Sequence, residues 1–133
     1  MKVKIDTKEK FHVITLIEPI FAANLAADLA QVATNILQEK IRNVVLNLKD
    51  VTSIEDEAAE QISKLQQMFY ERNASFVICG LQEPVEQRLD EIELLEIMNV
   101  TPSESEAGDI VQMEEIEREL MDSDEGEFPN QEN

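Results

Sequence analysis

The densest group of residues able to do chemistry lies in one short segment, where two hydroxyls precede three carboxylates. Thr52 and Ser53 are possible phosphoryl acceptors, and Glu55, Asp56 and Glu57 could together attract a basic partner. Carboxylates also suit a first helical turn, because they accept hydrogen bonds from free backbone amides and oppose the positive end of the helix dipole. Ser53, with Asp56 three residues later, further resembles a weak capping box. The segment therefore fits both a recognition surface and a helix start.

Other chemically active residues are sparse. His12 is the only histidine, lies inside a predicted strand and has no Gly-x-Ser-x-Gly elbow to act on, so we expect a structural or surface role. Cys79 ends the apolar run Phe76–Cys79 and is expected in the core, and a single cysteine forms no internal disulfide. The three glycines make no phosphate-binding loop, and the carboxylates lack ligands of mixed type beside them. We predict no catalytic residue, metal site or cofactor, and no enzymatic activity.

Composition limits the class of protein and its partners. The chain has 133 residues, 43% of them hydrophobic, which suits one domain with one sizeable core. Its net charge of -18 is concentrated in residues 101–133, which hold 12 acidic side chains and one basic. Such a chain repels nucleic acid and anionic lipid, so a charged partner should present a basic face. Without an apolar signal region or a run of membrane-spanning length, we expect no membrane insertion and a cytoplasmic location.

The elements that hold the carboxylates follow from periodicity. Val3–Asp6 and Phe11–Ile17 are predicted to form an N-terminal hairpin. Apolar residues at helical spacing predict a helix after Asn24, its expected N-cap. The run Val44–Leu48, apolar except for Asn47, is typical of a central strand that is covered on both faces. The carboxylates should therefore follow the middle strand of the sheet.

The second half continues the alternation of helices and strands. A helix carrying Ala58 and Phe69 on one stripe should end near Asn73, because asparagine tolerates the left-handed cap conformation. The expected elements that follow are a strand at Ser75–Cys79, a short helix opened by Pro84, an extended stretch at Ile97–Val100 and a last helix opened by Ser103. This order predicts an α/β fold: a mixed sheet of four to five strands with an N-terminal hairpin and about four helices.

The last helix allows two interpretations. Its apolar residues share one side with glutamates opposite, namely Ile110, Met113, Ile116 and Leu120. Residues 122–133 are almost devoid of apolar side chains, so we predict a domain at 1–121 and a disordered, solvating acidic tail at 122–133. In the alternative, the stripe packs on a partner or on a second copy, which would make a homodimer, and the tail competes with an acidic ligand for a basic site.

The order of elements and several segments resemble the STAS domain, the fold of sulfate transporters and anti-sigma-factor antagonists. Val45–Ile54 is similar to the family's apolar strand and Val-Thr turn, and Glu55-Asp56-Glu57-Ala58 occupies the place of its Asp-Ser-Ser-Gly motif. Ser75–Gly80 resembles the next strand, Pro84–Leu95 the third helix and Thr101–Ala107 the entry into the last helix. The likeness covers about residues 3–121.

The resemblance implies a bacterial regulator of transcription that docks a kinase of the histidine-kinase-like ATPase fold, which is also an anti-sigma factor. In the family this kinase phosphorylates the second serine of the motif, and Glu57 occupies that position here. A carboxylate does not accept a phosphoryl group in the same stable way, and it carries about one negative charge against nearly two for phosphoserine. Asp56 replaces the first serine and Ala58 the glycine. The resemblance therefore implies a partner-docking surface at this position, but not its regulation by phosphorylation.

We therefore predict a non-enzymatic regulatory module that docks a protein partner through residues 53–59, with Ser53, Glu55, Asp56, Glu57 and Ala58 as the binding residues and no phosphorylation at position 57. One alternative keeps a phosphorylation switch but moves it to Thr52 or Ser53, or to Ser63 within the helix. A second is a domain that binds a small ligand at the carboxyl ends of the strands.

Overall fold

The computed structural model describes residues 2–131 of the chain, with side chains described for residues 2–121. Its strands are β1 (Val3–Thr7), β2 (Phe11–Leu16), β3 (Ile20–Phe21), β4 (Asn43–Asn47), β5 (Ser53–Ile54), β6 (Phe76–Cys79) and β7 (Val100–Thr101). Its helices are α1 (Ala23–Ile36), α2 (Asp56–Glu71), α3 (Glu83–Glu91) and α4 (Glu104–Gln131), with a 3₁₀ turn at Leu95–Ile97. The predicted tail at 122–133 falls on residues whose side chains lie outside the described part, and its disorder stays a prediction.

Five strands form one mixed sheet in the order β1-β2-β4-β6-β7. β1 and β2 pair antiparallel as a hairpin, whereas β2, β4, β6 and β7 run parallel to one another. Parallel neighbours need crossover connections, and α1, α2 and α3 provide them. The predicted α/β fold is confirmed, with β4 at the centre of the sheet.

The sheet separates two apolar layers, because successive side chains of a strand point to opposite faces. Leu46 of β4 belongs to the larger layer, together with Leu29 of α1 and Ile62 of α2. Val45, the preceding residue, belongs to the smaller layer on the opposite face, together with Val111 of α4. Burial of each such side chain stabilises the fold by about 1.5–3 kcal/mol. The start of α2 and the first turns of α4 therefore lie on opposite faces of the sheet.

Helix ends confirm some of the local predictions. Asn73 has a left-handed backbone with φ 60° at the end of α2, and the Ala74 N–H donates to the Phe69 carbonyl at 2.9 Å. This is the bond pattern that satisfies the last carbonyls of a helix. Pro84 lies in the first turn of α3, as predicted. The Ser103 hydroxyl accepts a hydrogen bond from the Glu106 N–H at 3.2 Å, which caps the start of α4.

Two local predictions are wrong. Asn24 does not cap α1, because the helix begins at Ala23 with Ala22 as its N-cap and has no side-chain cap. The stretch Ile97–Val100 is only partly extended, because the 3₁₀ turn includes Ile97 and the strand begins at Val100. None of the helices within residues 2–131 is both long and apolar enough to cross a bilayer.

Candidate functional site

The loop after β4 is tied to the loop after β2, and this pairing fixes the start of α2. The Pro19 carbonyl accepts hydrogen bonds from the Thr52 N–H at 2.8 Å and the Ser53 N–H at 3.1 Å. The Glu55 N–H donates to the Phe21 carbonyl at 3.0 Å, so β3 and β5 form a short parallel pair. The segment that carries the hydroxyls and carboxylates is therefore held rigidly by its backbone.

Glu55 and Asp56 bind other parts of the domain. Glu55 Oε1 accepts a hydrogen bond from the Ala23 N–H at 3.0 Å, which satisfies a free amide at the start of α1. Asp56 accepts two hydrogen bonds from Arg88 of α3, at 2.8 Å from Nε and 2.6 Å from Nη2. This bidentate contact lowers the pKa of the Asp56 carboxyl below its ordinary value. Both carboxylates thus position helices.

Glu57 differs from its two neighbours. Its side chain is exposed in the first turn of α2, and within the described part of the chain it makes no hydrogen bond or ion pair. A carboxylate there lies near the positive end of the helix dipole. Of the three carboxylates, Glu57 is therefore the one that contacts no other side chain or backbone amide within the described part of the chain.

The two hydroxyls of this segment also differ from each other. Thr52 Oγ1 donates to the Pro19 carbonyl at 3.0 Å, whereas the exposed Ser53 hydroxyl has no hydrogen-bond partner among residues 2–121. The predicted Ser53 capping box is wrong, because α2 begins at Asp56 and has no side-chain cap. Ser63 is only 5% exposed, so its hydroxyl is poorly placed to accept a phosphoryl group.

Two further side chains change the composition of this surface. Ala58 was predicted as a binding residue, but it is fully buried and its side chain belongs to the core instead. Ile20 of β3 is 54% exposed and pairs with Ser53, although nothing in its local sequence distinguishes it as a surface residue. We call the exposed group at the start of α2 the junction surface, defined by Ile20, Thr52, Ser53, Glu55, Asp56 and Glu57.

His12 and Cys79 are structural side chains of the sheet. His12 is 7% exposed, with its two ring nitrogens bonded to Thr7 Oγ1 at 2.9 Å and to the Ile41 carbonyl at 3.0 Å. Cys79 is fully buried, as predicted for a core residue, and burial raises the pKa of its thiol to about 11. Within the part of the chain that the structure describes, no group of three or more histidine, cysteine and acidic side chains is placed to hold a metal ion.

Comparison with known protein families decides the identity of this domain. The family model of the STAS domain matches residues 2–107, which is most of the chain. The chain belongs to the STAS domain family. No curated protein matches its sequence significantly.

Solved structures share the fold of this STAS domain. A Thermotoga maritima protein assigned as an anti-sigma factor antagonist is 20% identical, with a TM-score of 0.69 over 83% of this chain and 94% of that one. A serine-to-glutamate variant of RsbS from Moorella thermoacetica is 15% identical, with a TM-score of 0.70 over 84% and 96%. The Bacillus cell fate determinant SpoIIAA in its phosphorylated form is 12% identical, with a TM-score of 0.61 over 83% and 99%. These TM-scores show a common fold despite the low sequence identities.

The junction surface of this STAS domain contains Glu57 in the first turn of α2, where the resemblance described above places the phosphorylated serine. The contacts of Glu55 and Asp56 could not be predicted from the sequence, because their partners Ala23 and Arg88 both lie more than 30 residues away. Exposure of Ile20 also depends on the β3–β5 pair. Which side chains are exposed at the junction surface thus depends on burial and long-range pairing, and not only on the local sequence Glu55-Asp56-Glu57-Ala58.

Proposed function

We propose that this STAS domain is a non-enzymatic regulatory module that docks a protein partner through the junction surface, with Glu57 as a permanent negative charge. The observation that carries the proposal is the contrast among the three carboxylates. Glu55 and Asp56 are bound to Ala23 and Arg88, whereas Glu57 is exposed and unpaired among the described residues. Because the Glu57 carboxylate does not position another helix, it is available to bind a partner.

The junction surface combines an apolar contact with charge. Ile20 is half exposed beside Ser53, and Ile17 three residues earlier is 45% exposed. Buried apolar anchors surrounded by polar residues dominate binding energy in protein interfaces. Carboxylates at the rim favour a basic face on the partner and exclude acidic ones. We infer a partner with an apolar pocket and a basic rim.

Family resemblance supports one class of partner, a histidine-kinase-like ATPase that acts as an anti-sigma factor. Three of the proteins that share this fold are an assigned anti-sigma factor antagonist, RsbS and SpoIIAA. Glu57 carries about one negative charge, against almost two for a phosphoserine, so it imitates the phosphorylated form only in part. We propose that the domain acts in the cytoplasm in one binding state, rather than alternating between two.

Binding to purified histidine-kinase-like ATPases of the native organism tests this proposal. By isothermal titration we expect Ile20→Ser to weaken binding by about tenfold or more, as for an interface anchor. Glu57→Gln, which removes charge but keeps shape, should weaken binding by a smaller factor and reduce its dependence on salt. Matched controls are Ile97→Ser, which truncates an isoleucine 57% exposed elsewhere, and Glu60→Gln, one turn along α2.

The controls decide which residues carry the binding. If the control variants lose as much affinity as Ile20→Ser and Glu57→Gln, binding does not depend on the junction surface. If none of the ATPases binds the wild-type domain, this class of partner is wrong.

Phosphorylation of Ser53 is a second candidate function, favoured by its exposed hydroxyl, which is unpaired among residues 2–121. Thr52 is the weaker acceptor because its hydroxyl already donates to Pro19. A phosphate at Ser53 would meet repulsion from Glu55 and Glu57 nearby in sequence. Intact mass spectrometry of the protein isolated from its own cells tests this function, and a phosphoryl mass that Ser53→Ala abolishes would establish it.

A further inference from the structure

α4 packs a polar side against the sheet in its middle turns. The Glu114 carboxylate accepts hydrogen bonds from the Ser75 hydroxyl at 2.6 Å and the Tyr70 hydroxyl at 2.9 Å. Asn99 Nδ2 donates to the Tyr70 hydroxyl at 2.7 Å. Since Ser75 is fully buried, Glu114 supplies an acceptor that solvent does not provide.

The next turn of α4 adds further contacts with the same end of the sheet. Asn43 Nδ2 donates to the Glu115 carboxylate at 2.9 Å, and Arg118 Nη2 donates to Ser75 Oγ at 3.2 Å and to Asn43 Oδ1 at 3.3 Å. Rolling α4 about its axis would break these bonds and expose Val111, which is fully buried. The rotation of α4 is therefore fixed by this polar network.

The opposite side of α4 presents an apolar stripe to solvent. Met113 is 58% exposed, Ile116 55% and Leu120 59%, and their spacing places them on one face of the helix. We call Met113, Ile116 and Leu120 the outer stripe. Surface helices ordinarily turn such a stripe toward the core, and here the polar network directs it away from the sheet.

Charge around the outer stripe limits what can cover it. The flanking Asp109 and Glu117 are both exposed and acidic. A second copy would bring two acidic flanks together in a chain of net charge -18, and an anionic membrane would be repelled in the same way. A partner with basic residues beside an apolar seam would pair with both the flanks and the stripe.

We propose that the outer stripe of α4 docks a basic amphipathic helix of a protein partner. The stripe runs over eight residues, a rise of about 10 Å at 1.5 Å per residue, which matches two turns of a second helix packed along it. This surface goes beyond the proposed function, because α4 lies on the face of the sheet opposite α2 and the junction surface. The domain would thus present two separate docking surfaces.

A designed helical peptide tests this surface. The probe is a fluorescent peptide of about 18 residues with leucines at helical i, i+3, i+4 and i+7 spacing and Lys and Arg elsewhere. A scrambled peptide of the same composition, with no apolar face, controls for binding by charge alone. Anisotropy at ~0.15 M salt should show at least about tenfold tighter binding of the amphipathic peptide to the full chain.

Protein variants locate the binding on α4. Ile116→Ser combined with Leu120→Ser keeps the net charge and should weaken binding about tenfold. Ile97→Ser, at a comparably exposed isoleucine on the 3₁₀ turn, should leave the affinity unchanged. Met113→Ser is the milder variant if the double variant does not fold, and a smaller loss is expected from it.

Three results would overturn the proposal. The first is equal affinity of the peptide for wild type and for a folded stripe variant. The second is a concentration-dependent dimer, seen by sedimentation in wild type but not in the stripe variant, because a second copy would then cover the stripe. The third is binding to anionic vesicles that depends on the stripe.

Discussion

Carboxylates serve opposite purposes at the start of α2 and in the middle of α4. At α2 the acidic side chains lie on the surface, where Glu55 and Asp56 join neighbouring helices and Glu57 stays unpaired among the described residues. In α4, Glu114 and Glu115 turn inward and accept hydrogen bonds from the end of the sheet. Neighbouring carboxylates in one helix can thus form a charged surface, whereas those in another stabilise the packing of the helix on the sheet.

The difference between these regions lies in what remains exposed. The inward carboxylates of α4 leave its apolar stripe facing solvent, whereas the outward carboxylates of α2 leave Glu57 unpaired among the described residues of the junction surface. The same residue type thus generates an apolar surface in one place and a charged one in the other. Variants that remove inward and outward carboxylates separately should therefore differ in their effect on stability.

The largest expected effect comes from the inward carboxylate of α4. Glu114→Ala should lower the free energy of unfolding by about 2–3 kcal/mol, because it leaves the buried Ser75 hydroxyl and the Tyr70 hydroxyl without their acceptor. Glu117→Ala, on the exposed side of the same helix, should change it by less than about 0.5 kcal/mol. Urea denaturation measures both. Equal losses would show that α4 does not use its two sides differently.

Alkaline pH should weaken the hydrogen bond that the Tyr70 hydroxyl donates to Glu114. Burial, followed by the charge of Glu114, raises the pKa of Tyr70 from 10.0 to about 12. Because the folded pKa exceeds the unfolded one, the stabilisation is complete below pH 10 and is lost as the pH rises toward 12. Tyr70 is the only tyrosine, so its absorbance titration reports this pKa directly.

The matching stability measurement compares wild type with Tyr70→Phe. Thermal unfolding should show a steeper loss of stability above pH 10 in wild type than in the variant, which removes the titrating hydroxyl while lysines titrate in both. A tyrosine that titrates near its ordinary pKa in the folded protein would contradict the buried contact with Glu114.

A smaller effect should separate two carboxylates of the junction surface. Glu55→Ala should cost about 0.5–1 kcal/mol, because an amide in the first turn of α1 loses its acceptor. Glu57→Ala should be almost neutral for stability, since no contact among the described residues is lost. If Glu57→Ala destabilises the fold as much as Glu55→Ala, Glu57 has a structural role.

The order of the main strands and helices could be predicted from the sequence, because buried strands such as β6 (Phe76–Cys79) are continuous apolar runs. The pair of β3 and β5 could not, since each strand has two residues and they meet through a long-range contact. The exposure of Ile20 could not be predicted for the same reason, because it depends on how the two loops pack. The burial of Ala58, in contrast, follows from its place on the apolar stripe of α2.

The last helix shows a further limit of periodicity. Its spacing places Ile110, Met113, Ile116 and Leu120 on one side, but does not show whether this side meets the sheet. Ile110 packs on the smaller apolar layer, whereas the other three residues face solvent. The answer depends on Asn43 and Ser75, which offer hydrogen bonds at the end of the sheet and draw the polar side inward. Neither residue is distinguished in the sequence as a partner of α4.

The central claim is that position 57 holds one fixed charge. The most direct test measures affinity for the histidine-kinase-like ATPase partner before and after incubation of the two proteins with Mg-ATP, with intact mass recorded in parallel. We predict no phosphoryl mass on the wild-type domain and the same affinity in both cases, while Glu57→Ser gains a phosphoryl group and changes affinity. A phosphorylated wild-type domain whose affinity falls or rises with the modification would contradict the claim.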